Sequence, residues 1–98
     1  MRKLNSLQTW KDLEKELLKD PKFAEEVKKH ETEYQMACSL IEARLKRKLS
    51  QKQLAEKIGT KQPVISRIES MTARPTISLL QRISQALNTE LRIYFKMK

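Results

Sequence analysis

A chain of 98 residues has room for one modest hydrophobic core, and 21 Lys and Arg against 12 Asp and Glu give it a formal net charge of +9. One glycine and three prolines supply little of the turn chemistry of an all-β fold or a glycine-rich phosphate loop. The single cysteine and single histidine exclude an internal disulfide and a structural zinc site within one chain, so neither a metal nor another cofactor is expected.

The charge is distributed unevenly along the chain. Residues 1–35 hold eight Lys and Arg and eight Asp and Glu, whereas residues 36–98 hold thirteen and four. A positive region of this kind attracts polyanions such as nucleic acid, although a solvated lysine-rich surface has the same composition. No run of 18 apolar residues is present and no apolar segment follows residues 1–5, so we expect no membrane helix, no signal peptide and a cytoplasmic location.

Helical spacing dominates the first half of the chain. Trp10, Leu13 and Leu17 recur at intervals of three and four, which predicts a helix over residues 10–19. Asp20 before Pro21 is typical of an N-cap followed by proline at the first helical position. The apolar residues beyond it predict a long helix to about residue 48, interrupted near residues 30–32.

Residues 51–70 have the spacing of two short helices joined by a tight turn. Ser50 and Gln53 form a capping box before a helix over residues 51–58, and Gly59 is expected to end it in the left-handed conformation. A second helix is predicted over residues 62–70. Crossed helices need a small residue where they meet, a positive φ at the corner and apolar inward positions. An ordinary helical hairpin is the alternative; the six matching positions are Leu54, Ala55, Ile58, Gly59, Ile65 and Ile68.

The last third of the chain contains one more predicted helix and a predicted strand. Pro75 and Thr76 precede a helix that Asn88 is expected to end in the left-handed conformation. Apolar and polar residues alternate over residues 90–96 instead, so that Leu91, Ile93 and Phe95 share a face of a short strand within residues 90–98. Such an edge is expected to pair with a second copy or with a partner.

Residues 49–69, LSQKQLAEKIGTKQPVISRIE, resemble the lambda-type repressor domain of the XRE or Cro/C1 family. The resemblance implies an all-α, lambda-repressor-like five-helix DNA-binding domain over residues 36–89, with an N-terminal helical extension over residues 1–35 and the C-terminal strand over residues 90–98. The whole layout is similar to HigA-type antitoxins. The chain departs from the family where Lys61 replaces a small hydroxyl residue, so Thr60 is expected to cap instead, and where Met71 replaces glycine.

The family resemblance also implies a set of DNA contacts, because the second helix of the motif lies in the major groove with its N-terminal residues at base edges. The implied base contacts are Gln62, Pro63, Ser66 and Arg67. The implied contacts to the DNA backbone are Gln51, Lys52, Lys61 and Arg74, although a single lysine is more often a plain surface charge. Arg44 and Glu69 match a family ion pair with a structural role. A dimer is expected, with a palindromic operator whose half-sites lie about 34 Å apart.

The N-terminal extension allows two interpretations. Its apolar residues pack against the helix-turn-helix core, or they dock a basic partner as an amphipathic helix does in a groove. The residues proposed for docking are Trp10, Leu13, Leu17 and Phe23. The resemblance to HigA implies that the partner is a RelE/HigB-type toxin that cleaves mRNA, and that the chain represses its own operon.

Three other function classes are weighed against the antitoxin. A standalone phage or host repressor without a toxin is the main alternative. An RNA-binding module is disfavoured because the basic region has few aromatic residues for stacking. Catalysis is not expected, since no nucleophile and base are paired by their spacing.

Overall fold

The structure, a computed structural model, describes residues 10–98 and places six helices in them. In chain order these are α1 (Trp10–Leu17), α2 (Pro21–Lys29), α3 (Glu31–Lys46), α4 (Gln51–Ile58), α5 (Gln62–Glu69) and α6 (Ile77–Ala86). None of these six helices is long and apolar enough to cross a bilayer. The first nine residues of the predicted N-terminal extension lie outside the described residues.

Helices α2 and α3 are separated at a single residue, His30. The Asp20 side chain caps α2 by accepting the N–H of Lys22 at 3.0 Å, with Pro21 at the first position as predicted. At His30 the backbone leaves the helical region, with φ −128° and ψ 50°. The predicted interruption of the long helix is therefore confirmed.

Local hydrogen bonds determine both ends of α4. The Ser50 N–H donates to Gln53 Oε1 at 2.8 Å, and the Gln53 N–H donates to Ser50 Oγ at 3.0 Å, which confirms the capping box. Gly59 follows the helix with φ +74°, the left-handed conformation predicted for it. The turn directs the chain from α4 into α5 within three residues.

The core lies where α4 and α5 cross, with α3 and α6 packed against them. Leu54 and Ile65 are completely buried, and Ala55 and Ile68 are 1% exposed. The small side chain of Ala55 allows the two helices to approach closely. The apolar positions of the predicted motif are thus confirmed as core. The other buried members of this cluster are Leu40, Ile58, Ile83 and Leu87.

Polar side chains form hydrogen bonds with the backbone at both ends of α6. The Thr76 side chain accepts the N–H of Leu79 at 3.1 Å, and Asn88 ends the helix region with φ +53°, as predicted. Arg47 on the α3–α4 turn donates from Nε to the carbonyl of Leu87 at 2.7 Å. A cation at this end of a helix also complements its dipole.

The predicted C-terminal strand is wrong, since the described residues beyond α6 have no regular secondary structure. A strand needs a neighbour for its N–H and C=O groups, and the helices of residues 10–86 provide none. Ile93 is 63% exposed and Phe95 is 99% exposed. The all-α class is correct, but the five-helix count is also wrong. Four helices, α3 to α6, form this part of the fold instead of five. A fifth helix is missing among the described residues because the chain turns at Asn88 and the residues beyond it lack helical spacing.

The N-terminal helices pack on α3 through a small polar and aromatic cluster. The Tyr34 hydroxyl donates a hydrogen bond to the Glu14 carboxylate, and Cys38 Sγ lies 3.7 Å from the same oxygen of Glu14. The ring of Phe23 meets Tyr34 edge to face, with 6.1 Å between the centroids. Helices α1 and α2 therefore pack against the rest of the fold through α3.

Candidate DNA-recognition surface

The N-terminal half of α5 presents polar side chains to solvent. Gln62, Pro63 and Arg67 are exposed, and Ser66 is half-buried. Because residues four apart lie on the same side of a helix, Gln62 adjoins Ser66 and Pro63 adjoins Arg67. Burial of Ile65 on the other side of the helix fixes this orientation. The structure brings the four predicted base-contacting residues together on one accessible face.

The side chain of Gln62 is positioned by the first residue of the preceding helix. Gln62 Nε2 donates to Gln51 Oε1 at 2.9 Å, and Gln51 Nε2 donates to Glu69 Oε1 at 3.0 Å. The amide of Gln51 thus joins the start of α5 to its end. Holding Gln62 in this way reduces the conformational freedom that it would lose on binding a base.

The series of hydrogen bonds ends in a buried ion pair. Arg44 Nε lies 2.7 Å from Glu69 Oε2 and Arg44 Nη2 lies 2.8 Å from Glu69 Oε1, a bidentate geometry. The side chains are only 11% and 5% exposed, and Arg44 Nη1 also donates to the carbonyl of Leu49 at 2.8 Å. The pair implied by the family resemblance is present, and it connects α3 to the recognition surface.

The four residues predicted to contact the DNA backbone do not form one cluster. Gln51 belongs to the hydrogen-bonded series, and the exposed Lys52 and Lys61 adjoin Gln51 and Gln62, respectively, in the sequence. Arg74 forms an ion pair with Glu33 of α3, with 3.1 Å between Nε and Oε2. A backbone hydrogen bond, with a contribution from Arg74, holds the pKa of Glu33 below its usual value. A phosphate must therefore compete with Glu33 for Arg74.

The structure shows how the chain accommodates Lys61 and Met71, the two residues that depart from the family pattern. The predicted capping by Thr60 is wrong, because Lys61 is the N-cap residue of α5 and no side chain caps that position. Met71 adopts the left-handed conformation, with φ +66°, in the place where the family has glycine. The turn after α5 thus keeps its backbone geometry without the residue that adopts it most easily.

The proposed docking residues separate into two groups. Trp10 and Phe23 line a cleft of about 410 Å³ between the N-terminal helices and the C-terminal end of α5. Leu13 is half-buried, whereas Leu17 is 37% exposed and its neighbour Leu18 is 39% exposed. Only the last part of α1 therefore offers apolar side chains directly to solvent.

Sequence reasoning missed the contact between Gln51 and Gln62 and the ion pair of Glu33 with Arg74. The occurrence of glutamine at the first position of both motif helices is a signal that indicates the first contact. No local pattern indicates the second, because 41 residues separate its members. Within residues 10–98, no group of three His, Cys, Asp or Glu side chains has the arrangement of a metal site.

Comparisons with known proteins agree with this geometry. The helix-turn-helix family model matches residues 40–94. Antitoxin HigA1 from two strains of Mycobacterium tuberculosis, CDC 1551 / Oshkosh and ATCC 25618 / H37Rv, is 34% identical over 74 residues, which are 76% of this chain and 50% of the relative. The chain thus spans about half the length of these curated relatives. No solved structure matches significantly.

The family match and the exposed face of α5 give the same classification. The match begins in α3 and includes the whole crossed pair α4 and α5. The members of the matched family are DNA-binding regulators and not enzymes, as the sequence predicted. This chain belongs to the XRE-type helix-turn-helix family and is similar to HigA antitoxins.

Proposed function

We propose that the chain is an antitoxin that binds operator DNA as a dimer, represses its own operon and neutralises a RelE/HigB-type mRNA-cleaving toxin. The observation that supports the DNA-binding part best is the exposed start of α5, where Gln51 and, through it, Glu69 hold the side chain of Gln62. A positioned amide at the front of a recognition helix is suited to contact with a base edge.

The exposed residues of α5 divide by chemistry into different tasks. Gln62 can accept from N6 and donate to N7 of adenine, and Arg67 can donate to O6 and N7 of guanine. Ser66 can bond to several bases, and Pro63 offers only carbon atoms, which suit a thymine methyl group. Phosphate contacts carry no sequence information but fix the orientation of the protein on DNA. We assign phosphate contacts to Gln51, Lys52 and Lys61, and also to Arg74 once it leaves Glu33.

A dimer follows from the small reach of one recognition helix. The exposed part of α5 covers two turns at most, which corresponds to a few base pairs. Two copies related by a two-fold axis read half-sites about 34 Å apart, so the operator is expected to be a palindrome. Footprinting that protects a single half-site without a symmetric mate would contradict this arrangement.

The toxin-neutralising part is supported by the similarity to Antitoxin HigA1 and by the N-terminal helices. Leu17 and Leu18 are exposed at the end of α1, next to the acidic residues Glu16 and Asp20. Apolar side chains with acidic neighbours are suited to a basic partner, which many RNA-binding proteins are.

A standalone repressor without a toxin is the second candidate. The observation that favours it is the packing of α1 and α2 on α3, which already covers much of their apolar surface. In that case, the extension contributes to stability alone.

Substitution of an exposed leucine separates the two candidates. Leu17→Asp should abolish rescue of growth when the chain is co-expressed with a RelE/HigB-type ribonuclease from the adjacent reading frame, while operator binding stays within about twofold of wild type. Lys19→Asp, two residues further and more exposed, is the control for added negative charge. Full rescue by Leu17→Asp, or the absence of a toxic neighbour, would favour the standalone repressor.

A further inference from the structure

Aromatic side chains line the cleft beside the recognition helix. Its volume of about 410 Å³ is within the range of small ligand pockets. Trp10, Phe23 and Tyr34 form one side, and Met71 and Thr72 of the turn after α5 form the other. The cleft therefore touches both the N-terminal helices and the end of the DNA-recognition helix.

The charges around this cleft are negative. No Lys or Arg lines it, whereas Glu26 and Glu69 do. Arg44 already pairs with Glu69, whereas Glu26 lies 3.7 Å from His30, which also lines the cleft and forms an ion pair only when protonated. The carboxylate of Glu26 would attract a cation in the cleft and repel an anion.

A further carboxylate contacts two of the residues that line the cleft. Glu14 accepts from the Tyr34 hydroxyl and lies 3.7 Å from the Cys38 thiol. Burial raises the pKa of both Tyr34 and Cys38, so these donors stay uncharged. The two groups that contact Glu14 are thus neutral donors and not cations.

We propose that this cleft receives an arginine side chain of a basic protein partner. Aromatic rings attract cations through their faces, and neighbouring carboxylates strengthen the effect. A guanidinium is flat and less strongly hydrated than an ammonium, so it stacks on rings with a smaller cost of desolvation. The inference rests on the proposal that the N-terminal helices bind a basic partner, and it names the group that the partner inserts.

Occupation of the cleft is linked to the DNA-recognition surface through Glu69. Its Oε1 accepts both from Arg44 and from Gln51, and Gln51 in turn holds Gln62. A guanidinium in the cleft competes with Gln51 for this carboxylate and so loosens Gln62. Because such coupling is reciprocal, partner binding weakens operator binding and operator binding weakens partner binding by the same factor.

Trp10 is the only tryptophan of the chain and so reports on the cleft directly. The full-length protein is titrated with N-acetyl-arginine amide and, as the uncharged isostere, with N-acetyl-citrulline amide, while Trp10 fluorescence is recorded. We expect a saturable change with the arginine compound and none with citrulline. Equal responses to the two compounds would overturn the proposal.

A pair of adjacent substitutions tests the charge. Glu26→Gln should weaken binding of the arginine compound by about threefold or more, in line with the loss of one partly exposed ionic contact. Glu25→Gln is the matched control, because Glu25 lies next in sequence but outside the cleft, 3.6 Å from Lys29. An unchanged affinity of Glu26→Gln would overturn the proposal.

The link to DNA is measured at constant ionic strength with a selected operator fragment. A concentration of the arginine compound that half-saturates the wild-type protein should weaken its operator binding by a larger factor than it weakens binding by Glu26→Gln. Equal effects on both proteins would overturn the coupling. If no arginine compound binds while Leu17→Asp still loses toxin rescue, the cleft proposal is wrong and the antitoxin proposal stands; the reverse result rejects the antitoxin alone.

Discussion

Gln51 holds the side chain of Gln62, the residue that we propose to contact a base, although it lies eleven residues earlier in the chain. Its amide accepts from Gln62 and donates to Glu69, so both of its polar ends are engaged. Deleting the Gln51 side chain leaves Gln62 exposed but free to rotate. The energetic effect of the two residues on DNA binding is therefore expected to be non-additive.

A double-mutant cycle measures this dependence. Gln51→Ala, Gln62→Ala and the double variant should show a coupling free energy of about 0.5–3 kcal/mol for binding to the same operator, because the two side chains touch. Fluorescence anisotropy with labelled operator gives the four affinities. Gln53→Ala is a control, since Gln53 belongs only to the capping box. Strict additivity of Gln51→Ala and Gln62→Ala would show that Gln51 does not position Gln62 on DNA.

Lysine at the start of α4 is expected to act without sequence preference. Lys52→Ala should weaken binding to operator and to unrelated DNA alike and should reduce the slope of log K against log salt by about one, since one phosphate contact is lost. Lys57→Ala, at the other end of α4, is the control and should leave the slope unchanged. A loss confined to the operator would assign Lys52 to base recognition instead.

At the scale of elements, the left-handed residues decide where helices end. A Cβ added at Gly59 would lie 3.7 Å from Arg82 Nη2, an ordinary contact, so space is not the obstacle. The obstacle is the φ of +74°, which costs an L-residue about 1–2 kcal/mol.

Gly59→Ala is therefore expected to lower the free energy of unfolding by about 1–2 kcal/mol. Gly59→Asn should cost less, because asparagine tolerates this conformation better. Urea unfolding followed by circular dichroism gives both values. Equal stability of Gly59→Ala and the wild type would show that the turn can relax to another conformation.

The ion pair between α3 and α5 is the second element-scale feature. Glu69→Ala should destabilise the fold by about 3–5 kcal/mol, because it leaves the buried charge of Arg44 without a partner. The double variant Arg44→Met with Glu69→Leu removes both charges and should recover most of this loss, which thermal unfolding can check. No recovery in the double variant would mean that packing, and not the stranded charge, explains the effect.

Features formed by neighbouring residues could be predicted from the sequence, and features that join distant residues could not. The capping box at Ser50, the corner at Gly59 and the end at Asn88 each depend on a few adjacent positions. The contact of Tyr34 with Glu14 spans 20 residues, and no spacing rule indicates it. The alternation of apolar and polar residues after residue 90 is typical of a strand, but a strand also requires a neighbouring strand for its backbone hydrogen bonds.

For the molecule as a whole, the structure combines a basic DNA-binding part with charge-balanced N-terminal helices. The excess of positive charge lies entirely in residues 36–98, where the recognition surface is, and it provides the attraction to DNA that does not depend on sequence. Specificity then depends on very few side chains. We propose that the first turn of α5 reads bases.

Base reading by α5 can be tested by measuring the binding of wild-type protein and of Gln62→Ala to every single-base variant of a selected operator. We predict that Gln62→Ala loses about 1–3 kcal/mol of discrimination at one base pair in each half-site and keeps it at all others. Unchanged discrimination at every position, or an equal loss at all of them, would contradict the assignment of α5 as the recognition helix.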